Sequence, residues 1–194
     1  MGADEVGTLR ELTTRRVILD DLIASHRGRI ANTAGDSVLA AFDSAVDAVQ
    51  CAVDAQAALT KANAGLSPER HINFRIGIHV GDVMVKGDDL FGDSINIAAR
   101  LQALASAGGN CISGVAYDQV RKILPLVFTD LGSQQVKNIE EPVRVYSVTP
   151  LQAATTDAAS FAAAPGSNSP LPLPDRPSIA VLPFQNMSGD PEQE

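Results

Sequence analysis

One helical stretch of this sequence carries a pair of polar side chains suited to holding an anion. Asn96 and Arg100 lie four residues apart in DDLFGDSINIAARLQ (88–102), so a helix would turn both toward the same side. Arginine is the natural clamp for a phosphate, and asparagine can orient a sugar ring. Because an exposed arginine on a helix is more often simply solvated, the pair alone leaves both interpretations open.

Two aspartates next to turns are further candidates for chemistry. Asp36 lies at the tip of a tight predicted hairpin in NTAGDSVLAAF (32–42), where its carboxylate would suit a hard cation such as Mg²⁺. Aspartate also simply favours turns, so that explanation stays open. Asp89, seven residues before Asn96, could accept hydrogen bonds from an amino group such as adenine N6. The three histidines lack metal-ligand spacing and are predicted to be surface or sheet residues.

Composition excludes several classes of function. The net charge of −8 argues against a general nucleic-acid binder, which would need a basic surface. No apolar run approaches the ~20 residues that a membrane span requires, so we expect no membrane segment in this chain. Cys51 and Cys111 lie far apart in apolar contexts, which predicts buried, reduced thiols and a cytoplasmic location.

Hydrophobic periodicity predicts an α+β sandwich, with helices packed on a mostly antiparallel sheet. Ser44 precedes the second helix, with Asp47 three residues on, as in a capping box. The predicted helices cover 4–26, 44–64, 93–107 and 115–124. The predicted strands cover 29–34, 38–42, 72–80, 83–85, a short stretch near Cys111, 127–131 and 143–148.

The composition changes after the last of these strands, which divides the chain into three parts. Residues 1–150 are expected to form the folded domain. Residues 151–177 are interpreted as a linker, since 152–177 hold five of the eleven prolines with many Ala, Ser and Thr. Residues 178–194 begin with the apolar run SIAVLPF, which predicts the first strand of a following domain that is cut short.

A series of ordered motifs over residues 4–149 resembles the catalytic domain of the class III adenylate and guanylate cyclases. The motifs, in chain order, are GRIANTAGDSVLAAF, FRIGIHVGDV, DDLFGDSINIAARL, GGNCISGVAYDQV and DLGSQQVKNIEEPVRVYSV. The resemblance implies a ferredoxin-like βαββαβ-type sandwich. The end of the chain, RPSIAVLPFQNMSGDPEQE, is similar to the start of a TolB-like segment that often follows such domains in bacteria.

The resemblance also implies an activity, partners and roles for individual residues. Such enzymes convert a nucleoside triphosphate to its 3′,5′-cyclic monophosphate and pyrophosphate, as homodimers with two Mg²⁺ or Mn²⁺ ions at a site on the interface. Asp36 matches a metal-binding aspartate, and Asp89 matches a purine-reading position at which Asp favours adenine. Asn96 matches the ribose-orienting residue, and Arg100 matches the transition-state arginine. Lys137 matches a triphosphate contact. The implied substrate is therefore ATP, and the implied product is cyclic AMP.

Two departures from the family pattern limit that expectation. Asn32 stands at a purine-reading position that usually carries Lys, so a charged donor is missing there. The strand that bears the first metal-binding aspartate, ahead of the first helix, has no counterpart in this chain. We therefore predict little or no cyclase activity for the chain as given, and we hypothesise that 178–184 fills the vacant position in the sheet. The alternative is a non-catalytic cyclase-like module for dimerisation or regulation.

Overall fold

The computed structural model describes residues 2–34, 37–86, 89–135, 139, 141–151 and 178–182. Within these ranges, the side chains of 2–10, 32–34, 86, 89 and 178–182 are not described. The helices are α1 (Gly2–Ser25), α2 (Ala45–Asn63), α3 (Asp93–Leu104) and α4 (Gly114–Val120), with a 3-10 turn at Pro68–Arg70. The strands are β1 (Arg29–Ala34), β2 (Ser37–Phe42), β3 (Ile76–Val80), β4 (Met84–Lys86), β5 (Asp89–Phe91), β6 (Asn110–Ser113), β7 (Leu126–Gln134), β8 (Val143–Pro150) and β9 (Ser178–Leu182).

Seven of these strands form one sheet in the order β1-β2-β9-β3-β6-β8-β7. Only the β3–β6 pair is parallel among the described strands of this sheet; its other pairs are antiparallel. Strands β4 and β5 pair separately as a short antiparallel ribbon that leads into α3. The fold is therefore the α+β sandwich that the sequence predicts.

The helices cover both faces of the sheet. On one face, α1, α2 and α4 pack on a hydrophobic core that includes Val38, Phe42, Ile76, Ile78 and Ile112. On the other face, α3 packs through its buried residues on Cys111 of β6 and Val145 of β8. The buried side of α2 consists mostly of small side chains. Seven of its nine buried residues are Ala, Val or Cys, and the other two are Leu59 and Asn63. The low aromatic content of 4% fits a core built this way.

Local signals in the sequence account for most of the element boundaries. Ser44 caps α2, and its hydroxyl accepts a hydrogen bond from the Asp47 backbone N–H at 3.4 Å, as the capping pattern predicts. The predicted helix over 93–107 ends earlier, at Leu104, because the backbone of Ala105 is extended, with φ −68° and ψ 143°. The predicted helix over 115–124 likewise ends at Val120.

The predicted strand over 72–80 is wrong in its first half. Strand β3 begins at Ile76, because the backbone before it bonds elsewhere: the N–H and C=O of Ile72 both bond to the side chain of Asn63, at 3.2 and 3.0 Å. On one face of β3, Ile76, Ile78 and Val80 pack into the main core. All five residues of β3 are buried, since α3 covers the face that carries Gly77 and His79.

Strand β9 lies in the middle of the large sheet. It pairs antiparallel with β2 on one side and with β3 on the other, with Ala180 opposite both Ala40 and Ile78. This confirms that residues 178–182 fill the sheet position predicted to be vacant; residues 183 and 184 lie outside the described residues. The assignment of 178–194 to a following domain stays a prediction.

The described helices give no sign of a membrane segment. None of them is both long enough and apolar enough to span a bilayer.

The two cysteines, Cys51 and Cys111, are buried and unpaired, as the sequence predicts.

Candidate active site

The candidate substrate-binding residues of α3 lie on the side opposite the residues that pack on the sheet. Ile97, Ala98 and Leu101 are buried, whereas Asn96 and Arg100 are exposed one turn apart on the outer side. Arg100 forms no salt bridge with any residue that the structure describes. The helix therefore presents an amide and a guanidinium to solvent from a rigidly packed base.

Close backbone contact fixes the position of this helix on the sheet. A Cβ at Gly77 would overlap the carbonyl oxygen of Ala98 and the amide nitrogen of Gln102, so α3 packs directly against the β3 main chain. Ser94, in the first turn, donates its hydroxyl proton to the carbonyl oxygen of Asp82 at 2.8 Å. Together these contacts hold both ends of the segment that carries Asn96 and Arg100.

His79 is a buried imidazole beneath the start of this helix. Its side chain is 8% exposed, and its Nδ1 has no hydrogen-bond partner. A Cβ built on Gly81 would lie 3.1 Å from Nε2 of His79 and would overlap the Ser94 hydroxyl oxygen. The imidazole, Gly81 and Ser94 are therefore close together. Burial lowers the pKa of His79 to about 4, so the ring is neutral near pH 7.

The elements that carry the other candidate residues lie beside α3. Asn32 is in β1, where its backbone is opposite Leu39 just after an irregularity in the pairing, and Asp89 is the first residue of β5. Strand β5 contacts both β1 and α3, so the three elements are neighbours. The side chains of Asn32 and Asp89 are not described. Asp36 and Lys137 lie outside the described residues, so their predicted roles stay predictions.

No metal site is described in this structure. Within the ranges that the structure describes, no three His, Cys, Asp or Glu side chains come together in a way that could hold a metal ion. Asp36, the candidate ligand from the sequence, is outside those ranges. The described side chains therefore give no donor set that fits the two ions implied by the resemblance.

Sequence reasoning missed the residues that position α3. His79 alternates with apolar residues in the sequence, so it was predicted only to lie on the surface or in the sheet, and no specific contact was expected. Gly77 and Gly81 lie among the alternating residues of FRIGIHVGDV, where two glycines in a strand pattern signal a close backbone approach. That signal could have predicted a helix packed directly on this strand. Nothing in the local sequence indicated that Ser94 would bond across to Asp82.

Comparison with known proteins identifies the family of this chain. Residues 4–149 match the family model described as the adenylate and guanylate cyclase catalytic domain. That match covers most of the chain. The chain therefore belongs to the adenylate and guanylate cyclase catalytic domain family, as the motif series predicts.

Individual relatives agree with this assignment. The protein named "Putative adenylate cyclase 3" from Rhizobium meliloti (strain 1021) is 45% identical over 194 residues, which is all of this chain and 32% of that protein. The chain thus spans about a third of the length of this curated relative.

Solved structures of the family share the same architecture. The crystal structure of an adenylate/guanylate cyclase/hydrolase from Silicibacter pomeroyi superposes with a TM-score of 0.71 at 38% identity, covering 78% of this chain and 88% of that one. The catalytic core of a rhodopsin-guanylyl cyclase with converted specificity, in complex with ATPαS, gives a TM-score of 0.62 at 26% identity. That match covers 77% of this chain and 84% of the other. The TolB-like resemblance of the end of the chain stays a prediction.

Proposed function

We propose that this chain carries the catalytic domain of an adenylate cyclase, which converts ATP to 3′,5′-cyclic AMP and pyrophosphate. The observation that carries the proposal is the outer side of α3, where Asn96 and Arg100 are exposed one turn apart on a helix fixed to the sheet. The relative from Rhizobium meliloti, named as an adenylate cyclase, supports the choice of adenine.

The proposed chemistry gives each candidate residue one role. The ribose 3′-oxygen attacks the α-phosphorus, the bond from that phosphorus to the bridging oxygen breaks, and pyrophosphate leaves. Arg100 stabilises the charge that grows on the phosphate oxygens, because its guanidinium is held on a fixed helix. Asn96 orients the ribose so that the 3′-oxygen faces the phosphorus.

The remaining candidates are proposed to bind the rest of the nucleotide. Asp89 accepts hydrogen bonds from the adenine amino group, and Asn32, on the neighbouring strand β1, also contacts the purine. Lys137 contacts the triphosphate. Asp36 is proposed as a ligand for the Mg²⁺ or Mn²⁺ that the family resemblance implies; when bound, such an ion would offset phosphate charge and lower the pKa of the 3′-hydroxyl.

A homodimer is the proposed assembly, formed on the face that carries the ribbon β4–β5. This ribbon exposes Met84, Val85 and Phe91, with side chains 69, 58 and 47% accessible, next to the start of α3. Exposed apolar side chains grouped in this way favour a protein interface. A second copy bound there would lie close to Asn96 and Arg100.

We further propose that the chain as given turns over ATP slowly, because β9 holds the sheet position at which the resemblance implies a metal-binding aspartate. The test incubates the full chain with ATP or GTP and Mn²⁺ and measures both cyclic products by mass spectrometry. We expect a trace of cyclic AMP at most, and none with Arg100→Ala. Rapid turnover that Asp36→Ala abolishes would contradict the low rate, and an excess of cyclic GMP would contradict the choice of adenine.

A non-catalytic dimerisation or regulatory module is the second candidate function. It is favoured by β9 in the centre of the sheet and by Asn32 at a position where the resemblance implies Lys. Sedimentation and nucleotide binding separate the two candidates. A stable dimer that binds neither ATP nor GTP would favour the module, whereas ATP binding that depends on Arg100 would favour the cyclase.

A further inference from the structure

Strand β9 is the only strand that connects two halves of the large sheet in the described structure. On one side, its residues pair with Val38–Phe42 of β2; on the other, they pair with Gly77–Val80 of β3. Strands β2 and β3 do not pair with each other in the sheet order. Without β9, the hairpin β1–β2 would share no backbone ladder with the rest of the sheet.

The two halves carry different parts of the candidate site. The hairpin β1–β2 includes Asn32, and Asp36 lies between its two strands in the sequence. Helix α3, with Asn96 and Arg100, packs across β3 and β6 of the other half and also contacts β9. The distance between these two groups of residues therefore depends on a strand that lies between them.

Strand β9 differs from its neighbours in how it reaches the sheet. Two residues separate β1 from β2, and three separate β3 from β4, whereas 26 residues (152–177) separate Leu151 from Ser178. It is held by main-chain pairing on both sides, an interaction that extended segments of many sequences can make. Its removal would leave two unpaired edges in the middle of the sheet, which are strong acceptors for another strand.

We propose that the gap between β2 and β3 is a strand-acceptor site for an extended peptide segment and that residues 178–182 are its exchangeable occupant. Withdrawal of this strand uncouples the hairpin bearing Asn32 and Asp36 from α3. The strand exchange stands on the pairing alone; only its effect on nucleotide chemistry rests on the proposed function.

Cysteine pairing in the full chain tests which segment occupies the site. Ala40 and Ala180 are opposite each other in the β2–β9 ladder, so Ala40→Cys with Ala180→Cys should oxidise to a disulfide within one chain. Ala31 lies on β1, beyond β2, so Ala31→Cys with Ala180→Cys is the control and should stay reduced. The native thiols compete poorly, because burial raises the pKa of Cys51 to about 12 and of Cys111 to about 11.

The result is read on a non-reducing gel and by peptide mapping. A disulfide between residues 40 and 180 in a monomeric band supports the proposal. Failure to form this bond, or equal cross-linking in the control, would overturn it. A disulfide-linked dimer would overturn the assignment to the same chain.

Exchange is tested with a fluorescent peptide of residues 176–184, followed by anisotropy. Val181→Pro removes a ladder N–H from a central strand, so the full-length variant should bind the peptide at least tenfold more tightly than the unmodified chain. The same peptide carrying Val181→Pro is the control and should not bind. Equal peptide binding by the two chains, with the variant still folded by circular dichroism, would overturn the proposal.

A second measurement covers the case in which Val181→Pro fails to fold. The chain with cysteines at 40 and 180 should bind the peptide at least tenfold more weakly when oxidised than when reduced. Equal binding in the two states would overturn the exchange. A chain that exchanges the peptide yet binds no nucleotide would refute the proposed function and leave the strand-acceptor site in place.

Discussion

At the scale of single residues, Asn96 and Arg100 show what sequence spacing alone can predict about a binding site. A separation of four residues on a helix predicts a shared side, and both residues are indeed exposed on the outer side of α3. The sequence could not show what holds that helix in place. Ser94 bonds to Asp82, 12 positions away in the chain, so no local pattern specifies this contact.

His79 gives a prediction about pH. Its pKa falls from 6.5 in the unfolded chain to about 4 in the folded one, because burial disfavours the charged ring. Between these values the unfolded state binds the proton and the folded state does not, so stability falls as the pH is lowered from 6.5 toward 4.

The size of the effect follows from the same shift. We expect His79→Gln to reduce the loss of unfolding free energy between pH 7 and pH 4.5 by roughly 2 kcal/mol, measured by urea denaturation at both values. The same loss in both proteins would contradict the neutral, buried state of this histidine. Above pH 6.5, this linkage contributes nothing to the difference between the two proteins.

At the scale of elements, Arg15 fastens α1 to the end of α2. Its side chain is 2% exposed; it donates to the carbonyl oxygen of Ala62 at 3.1 Å and to Oδ1 of Asn63 at 3.3 Å, and it pairs with Glu11. Asn63 in turn holds the backbone of Ile72 ahead of β3. One arginine therefore connects α1, α2 and the segment that leads into the central sheet.

Substitution of Arg15 should be costly for stability. Arg15→Ala leaves the carbonyl oxygen of Ala62 without its donor and Glu11 with only a 3.7 Å pair to Arg70, so we expect a loss of about 2–4 kcal/mol in unfolding free energy. Arg16→Ala is the matched control, because Arg16 makes only a partly exposed pair with Asp20 one turn on, worth about 0.5 kcal/mol. Urea unfolding measures both. Similar losses in the two variants would show that Arg15 does not fasten these helices.

The contact between α3 and β3 gives a second prediction at this scale. Gly77→Ala places a methyl group against the backbone of Ala98 and Gln102, which cannot move without displacing the helix. We expect a loss of about 1–3 kcal/mol and a lower melting temperature by calorimetry. Gly114→Ala is the control, since its Cβ would stay 3.3 Å from the Cβ of Arg144 and 3.6 Å from the Arg144 carbonyl oxygen, without overlap. Equal melting temperatures for Gly77→Ala and the unmodified chain would contradict direct packing of α3 on β3.

At the scale of the whole molecule, periodicity and caps predicted the class of fold and the order of most of its elements, although they missed the short strand β5. The pattern failed at residues 72–75, where alternation continues although the backbone bonds to Asn63 instead of a strand. It also failed to show that β3 is covered on both faces, because glycine packing against a helix leaves no hydrophobic signal.

The place of β9 shows which part of the fold the sequence could suggest. An apolar run after a proline-rich stretch predicted a strand, and the resemblance implied a vacant position in the sheet. The pairing of 178–182 with β2 and β3 confirmed that combination. The register could not be predicted, because it depends on contacts across more than 90 residues of chain.

The central claim is that the outer side of α3 binds a nucleoside triphosphate, and equilibrium binding of ATP by calorimetry tests it most directly. We predict that Arg100→Ala weakens ATP binding by the full chain at least tenfold. Arg121→Ala, which removes an exposed arginine after α4 on the other face of the sheet, should leave the affinity unchanged. Absence of ATP binding, or equal affinity for the unmodified chain and Arg100→Ala, would contradict the account.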